Sequence, residues 1–218
     1  LPWSTAESPV PSATVQVVCD DPQIKILDNF ASPEECAAIL RIAEQQLGPP
    51  LVSGEELGED KTVRTGDLAW LLHDHDPTVE MLCMRVAGVL NQPLTNAEQL
   101  QVVRYHPGQR YLAHFDSYDR STRVGKRCTA RGGQRIATAL LYLHPPEAGG
   151  ATRFPRLELT VDPLLGRLLV FQNCGDNTQE PHPLSLHAGE PVDAGVKWIA
   201  NLWFRERAWR GLDAWVDD

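Results

Sequence analysis

The hydrophobic rhythm of the chain changes about midway. From Ser32 onward, Cys36, Ile39, Leu40, Ala43 and Leu47 recur at three- and four-residue steps, the spacing that gathers side chains on one helix face. Ser32-Pro33-Glu34-Glu35 provides the start: a capping hydroxyl, a proline at the first helical position and a glutamate placed to complete a capping box. Gly48-Pro49-Pro50 is expected to end that helix. A second helix is predicted from Asp76-Pro77, with Asp76 as N-cap and Val79, Leu82, Cys83, Val86 and Leu90 turned inward. A short strand over 24–27 precedes both helices.

Beyond residue 98 the apolar runs become short and β-branched, and Gly, Pro and Asn separate them. Strands are predicted over 99–105, 111–116, 136–143, 157–161, 167–172, 184–187 and 197–204. Two helices followed by a series of short strands give an α+β fold: a jelly roll, or double-stranded β-helix, with N-terminal supporting helices. Residues 1–21 read as a flexible or extended lead-in, and 22–218 as a single domain with helical support over 22–98 and a jelly-roll core over 99–207. The 18 residues Ser117–Gln134 carry no strand pattern but hold Arg120, Arg123, Lys126, Arg127 and Arg131. They are expected to be a mobile charged loop or a lid, hinged at Gly125, Gly132 and Gly133.

Composition narrows the possibilities. The net charge of −9 argues against a general nucleic-acid binder. No apolar run is long enough to span a membrane, so no membrane contact is expected within this sequence. The chain begins at Leu1 rather than Met, so a signal peptide or anchor would lie out of view. The five cysteines are scattered without a C-x-x-C pair, which disfavours a zinc ribbon or a thioredoxin-type site. Cys36 and Cys83 occupy inward helix positions and are expected to be buried thiols.

Candidate chemistry begins at His114-Phe115-Asp116. Residues two apart on a strand project from the same face, so the imidazole and the carboxylate point together. They make two-thirds of a His-His-carboxylate facial triad, a donor set that holds iron(II) and leaves positions open. By itself H-x-D is not specific. A third ligand is expected from a distant strand, and His187 in Leu184-Ser185-Leu186-His187 fits. Ten residues on, strand parity puts Lys197, Ile199, Asn201 and Trp203 on one face. A lysine opening a buried apolar strand is costly unless paired, and a dicarboxylate would pair with it; the plainer alternative is a lysine that snorkels to the surface. Tyr105 and Tyr111 read equally as core aromatics. His73-Asp74-His75-Asp76 repeats the ligand spacing, but a helix start with two solvated histidines explains it better. His106, His144 and His182 lie in proline-flanked turns and are expected to face solvent.

In order along the chain, Tyr105-His106-Pro107-Gly108-Gln109-Arg110-Tyr111-Leu112-Ala113-His114-Phe115-Asp116 resembles the Y-x-x-G-x-x-Y-x-x-H-x-D signature of the prolyl 4-hydroxylase family. Arg135–Leu143, Gly149-Gly150-Ala151-Thr152-Arg153-Phe154-Pro155 and Ser185–Gly189 through Lys197-Trp198 resemble its central strand, its G-G-x-T-x-F-P turn and its closing segment. Ser32–Cys36 and Val63-Arg64-Thr65 match its helical half, so the resemblance runs over about residues 22–205. It implies iron(II) held by His114, Asp116 and His187. It also implies 2-oxoglutarate as cosubstrate, its distal carboxylate on Lys197 with hydrogen bonds from Tyr105 and Thr152, and Leu140 and Trp203 packed along it. Tyr111 and Arg135 would line the substrate side. Arg135 and Leu140 have opposite strand parity, so Arg135 is expected where the strand is still loop. Two positions depart from the family pattern: Ala151 stands where many members have an acidic residue, and Phe204-Arg205 follows Trp203 where another polar residue is common.

The function so implied is hydroxylation of a peptidyl proline at C4 with O2 and 2-oxoglutarate, releasing succinate and CO2. Ascorbate is implied as reductant, a proline-containing peptide as partner, a monomer as the working unit, and the endoplasmic reticulum lumen before the cytoplasm as compartment. The alternatives are an oxygenase acting on another residue or a free amino acid, a catalytically silent cupin-like peptide-binding module, and a zinc hydrolase. The last lacks a general base near the ligands in sequence and leaves Lys197 unexplained.

Overall fold

The computed structural model describes residues 13–49, 52–53, 57–58, 65–175 and 179–209. The order of elements is β1 (Thr14–Asp20), β2 (Gln23–Asp28), α1 (Pro33–Glu44), the two-residue strands β3 (Val52–Ser53) and β4 (Leu57–Gly58), β5 (Asp67–Leu71) and α2 (Pro77–Leu90). There follow β6 (Leu100–Tyr105), β7 (Tyr111–His114), α3 (Arg123–Thr129), β8 (Arg135–His144), β9 (Ala148–Gly149), β10 (Thr152–Phe154) and β11 (Leu159–Val161). The chain closes with β12 (Leu168–Gln172), β13 (His187–Gly189), β14 (Val192–Ala194) and β15 (Lys197–Arg205).

Both large helices start as their sequences dictate. The Ser32 hydroxyl accepts from the Glu35 backbone N–H while the Glu35 carboxylate accepts from the Ser32 N–H, and Asp76 accepts from Thr78 N at 2.8 Å. Glu35 also binds Arg85 of α2, tying the helices together. α1 stops at Glu44, before Gly48, which pairs instead with Leu68. α2 ends on Asn91 in the left-handed region.

A seven-stranded sheet, β1-β2-β12-β8-β15-β6-β5, faces a four-stranded sheet, β11-β10-β13-β7. Pairing is antiparallel throughout, as a jelly roll requires. The central strands are covered on both faces, so their residues sort by parity. In β8, Ala137, Ala139, Leu141 and Leu143 join the core beneath α1 and α2, whereas Leu140 and Tyr142 enter the core between the sheets. In β15, Trp198, Ala200, Leu202 and Phe204 face the helices and Ile199 faces the second sheet. Burial on both sides explains why these strands read as continuous apolar runs rather than as alternating ones.

Several expectations change. Residues 14–20, assigned to the lead-in, form β1, which pairs with β2 at the sheet edge. Residues 1–12 and Val63-Arg64 lie outside the described residues. The N-terminal half is more than helical support, because β1, β2 and β5 belong to the main sheet. Within Ser117–Gln134 lies α3, capped by Thr122 and moored at its C-terminal end by Arg205 Nη1, which donates to Cys128 O and Gly133 O. Gly132 and Gly133 take positive φ in a tight turn packed on Arg205 and Glu206, a role unlike that of a free hinge. The strand expected over 184–187 is a 3-10 turn, Pro183–Ser185, leading into β13. All five cysteines are free, and burial raises the Cys83 and Cys174 thiols to about 12. Among the described residues no helix is long and apolar enough to cross a membrane.

Candidate active site

β7 and β13 are neighbours in the smaller sheet, and their ladder sets His114 directly opposite His187. Asp116, two residues past His114, closes the group: Oδ1 lies 3.5 Å from His114 Nε2 and Oδ2 lies 3.6 Å from His187 Nε2. The donor atoms of all three residues fall within 4.8 Å of one another, compact enough to share one ion.

Each imidazole is oriented in the same way. His114 Nδ1 pairs with Leu112 O at 2.8 Å, and His187 Nδ1 pairs with Ser185 O at 3.0 Å, each the carbonyl two residues upstream. A carbonyl only accepts, so Nδ1 carries the proton and the Nε2 lone pair is left for a metal. Tyr111 stacks on His114 with ring centroids 3.6 Å apart, and Phe171 packs edge-on against His187. Burial first, and His114 second, push His187 down to about 4, so it is a neutral donor at neutral pH. Burial works against the Asp116 charge, but the polar surroundings supplied by His187, His114 and Arg135 outweigh it and hold the carboxyl below its usual range. Thr138 Oγ1 donates to Asp116 Oδ2 at 2.6 Å.

The same cavity runs back between the sheets to Lys197, which pairs with Tyr105 in the β15–β6 register. Lys197 is 2% exposed, and among the described residues no carboxylate stands within ion-pair distance of it. The faces of Tyr105 and Tyr142 receive the ammonium, at 5.7 and 5.5 Å. Burial lowers its pKa to about 7. Beside it the Tyr142 hydroxyl donates to Thr152 Oγ1 at 2.7 Å, which leaves the Thr152 proton free to donate elsewhere. Thus one end of the cavity carries metal-type donors, and the other carries a buried cation with a spare hydroxyl. The Trp203 indole N–H is also buried without a partner among the described residues. This donor set fits iron(II) and a short dianion.

Of the sequence-predicted residues, Tyr105, Tyr111, His114, Asp116, Leu140, Thr152, His187, Lys197 and Trp203 all line this cavity. The parity set Lys197, Ile199, Asn201 and Trp203 is there together. Arg135 is not. It opens β8 rather than lying in a loop, opposite Arg205 and beyond a register shift that resolves the parity conflict with Leu140. Its guanidinium makes a two-point contact with Glu98 and stands over Trp203, with Cζ 3.9 Å from the ring centroid. Arg205 binds the same Glu98 oxygen, at 2.6 Å. Sequence reasoning missed Glu98, Thr138, Tyr142 and Asn173; the even parity of Thr138, Leu140 and Tyr142 was the available signal for two of them. His73 is half-buried and pairs with Glu98 O at 2.7 Å, and His182 caps Leu184 N and approaches Asp21, so neither is simply solvated.

The family model described as the 2OG-Fe(II) oxygenase superfamily matches residues 100–205. A putative prolyl 4-hydroxylase of Acanthamoeba polyphaga mimivirus is 42% identical over 190 residues, covering 86% of this chain and 77% of that protein. Prolyl 4-hydroxylase 5 of Arabidopsis thaliana is 32% identical over 87% of this chain and 70% of its own length. The chain belongs to the prolyl 4-hydroxylase family. As a member it is an iron(II)- and 2-oxoglutarate-dependent dioxygenase. The prolyl 4-hydroxylase likeness extends to three dimensions. The viral collagen prolyl hydroxylase of Paramecium Bursaria Chlorella virus-1, solved with 2-oxoglutarate, superposes with a TM-score of 0.69 at 29% identity, over 86% of this chain and 98% of that one.

Proposed function

We propose that this chain hydroxylates C4 of a proline within a peptide, consuming O2 and 2-oxoglutarate and releasing succinate and CO2. One observation carries the reading: a buried lysine with no counter-ion among the described residues shares a cavity with a compact His-His-Asp cluster. The dicarboxylate that Lys197 lacks is the cosubstrate that a facial triad uses.

In this reading His114, Asp116 and His187 ligate iron(II) through Nε2, carboxylate and Nε2. Lys197 pairs with the distal carboxylate of 2-oxoglutarate, Thr152 donates to it with the proton that Tyr142 leaves free, and Tyr105 lies alongside. Leu140 and Trp203 form its apolar walls. The bound iron and cosubstrate supply the oxidation that replaces a C–H bond by C–OH while 2-oxoglutarate loses CO2. The protein's share is placement and the exclusion of water, because the carbon attacked is the one held nearest the metal. Tyr111, half-buried at the mouth beside His114, is the residue placed to touch the substrate. Arg135 acts through Trp203, whose face it covers. An extended, polyproline-like peptide suits the role of substrate because little entropy is lost on binding it. Ascorbate, keeping the metal ferrous, is the expected reductant.

A zinc hydrolase is disfavoured by the lining itself, in which Asp116 is the sole carboxylate, so none is left to act as a base once it holds a metal. A silent peptide-binding module has no physical need for a desolvated lysine. The test is a peptide panel read by mass spectrometry. A proline-dependent gain of one oxygen, stoichiometric with succinate, is expected. Oxidation of a residue other than proline, or of free amino acids alone, moves the assignment to another oxygenase substrate, and 2-oxoglutarate-independent binding of peptides supports the silent module.

A further inference from the structure

Asn173, immediately after β12, is completely buried and is not among the residues that line the cavity. Its hydrogen bonds nonetheless reach every segment that delivers the acidic ligand and one of the histidines. Its side-chain Nδ2 lies 2.9 Å from Thr138 Oγ1, and Thr138 Oγ1 lies 2.6 Å from Asp116 Oδ2. Its backbone carbonyl accepts from Ser117 Oγ at 3.1 Å and from His182 N at 2.9 Å. Its own N–H donates to Ile136 O at 3.0 Å. Ser117 adjoins Asp116. His182 opens the 3-10 turn whose last carbonyl, Ser185 O, orients His187.

The direction of the relay follows from proton counting. An ionised carboxylate has no proton to give, so the single hydroxyl proton of Thr138 goes to Asp116 Oδ2. Thr138 Oγ1 must then accept, and only the Asn173 amide nitrogen can donate to it. The Oγ1–Oδ1 approach of 3.1 Å between Thr138 and Asn173 therefore carries no proton. Asn173 thereby polarises Thr138, and Thr138 holds back one oxygen of Asp116 by a charge-assisted bond. Among the described residues, Oδ1 is approached by His114 Nε2 at 3.5 Å and takes no hydrogen bond from Thr138.

We propose that Thr138 and Asn173 are positioning residues of the metal centre, which restrict Asp116 to donation through a single oxygen and so preserve a coordination position for the reaction. A carboxylate free to rotate would offer both oxygens to one ion. The inference rests on the reading of His114, Asp116 and His187 as ligands.

The test is titration of the full chain with Co(II) in place of iron, followed by visible absorption, together with melting of the metal-free protein. Thr138→Val keeps the shape and removes the hydroxyl; it is expected to weaken Co(II) binding by about 10- to 100-fold, the usual effect of losing a partner behind a ligand. Thr138→Ser should restore affinity to within about threefold, a rescue that loss of packing alone does not allow. Asn173→Ala should lose affinity in the same direction but less. If valine at 138 is not accepted by the fold, Thr138→Ala takes its place with the same expected loss. Wild-type Co(II) affinity in the hydroxyl-free variant, or equal loss in Thr138→Ser, overturns the proposal. Equal uptake by the wild type and His114→Ala would instead overturn the ligand assignment on which it rests.

Discussion

His114 and His187 face one another across a single antiparallel ladder although they are far apart in sequence, and both turn Nδ1 to the carbonyl two residues before them. The metal site is thus built into the register of β7 against β13. A one-residue slip of either strand would turn one imidazole to the opposite face. One equivalent of iron(II) per chain is expected, and His114→Ala, Asp116→Ala and His187→Ala should each abolish turnover and 2-oxoglutarate decarboxylation alike. Undiminished decarboxylation in Asp116→Ala would falsify the triad.

Lys197→Ala should raise the KM for 2-oxoglutarate by two orders of magnitude or more, because breaking a buried ion pair costs about 3–5 kcal/mol. Lys197→Arg should recover only part of this. The guanidinium is larger and planar, and the lysine stem already runs close to Gly150, where an added Cβ would lie 3.0 Å from Lys197 Cδ. Steady-state kinetics at saturating peptide measure both. Unchanged cosubstrate dependence in Lys197→Ala would remove the lysine from the site.

The depressed pKa of Lys197 makes cosubstrate binding pH-dependent. In the ligand-free site burial lowers it to about 7. The protonated form pairs with a dianion and predominates below that value, so binding is full on the acid side and declines above it, by at most tenfold per pH unit. Calorimetric titration of the metal-loaded, oxygen-free protein from pH 6 to 9 should show this decline together with proton uptake on binding above pH 7. Lys197→Met should flatten the profile; a wild-type profile flat over the same range speaks against it.

Glu98 should matter out of proportion to its distance from the metal. It is buried against two guanidiniums, those of Arg135 and Arg205, which outweigh the opposing effect of burial and hold its carboxyl below the usual range. Glu98→Ala leaves two buried cations unpaired and should cost roughly 3–5 kcal/mol. It should also impair turnover by releasing Arg135 from Trp203. Thermal melting and 2-oxoglutarate KM are the readouts. A variant as stable as the wild type would show that solvent reaches the cluster.

α3 is expected to be ordered before substrate arrives. Arg205 binds Cys128 O and Gly133 O, and Gln134 bonds to both backbone groups of Tyr118, so the segment is tied down at its base. Amide exchange over residues 123–134 should be slow and nearly equal with and without a proline-rich peptide. Fast exchange that slows on peptide addition would return this segment to the role of a closing lid.

Local signals carried much of the architecture. Capping residues and helical spacing placed α1 and α2, because a helix is stabilised by neighbours three and four residues away. Short β-branched apolar runs bounded by Gly, Pro and Asn placed β6, β8, β12 and β15, and strand parity put Lys197, Ile199, Asn201 and Trp203 on one side. The H-x-D pair was legible from its spacing, although β7 ends at His114 and Asp116 lies in the bend just past the strand expected to carry both. Edge and short strands such as β1, β5 and β10 were not legible, because their pairing comes from partners remote in the chain. The same holds for Arg135, whose parity is reset by a shift in register that only the β8–β15 ladder reveals. α3 was hidden because it lacks an apolar stripe and is held by buried arginine and glutamine contacts from elsewhere. Thr138, Asn173 and Glu98 look like ordinary strand and loop residues in one dimension. Their roles arise only when folding brings unlike polar groups together away from water, where each must find the partner that the chain order does not supply.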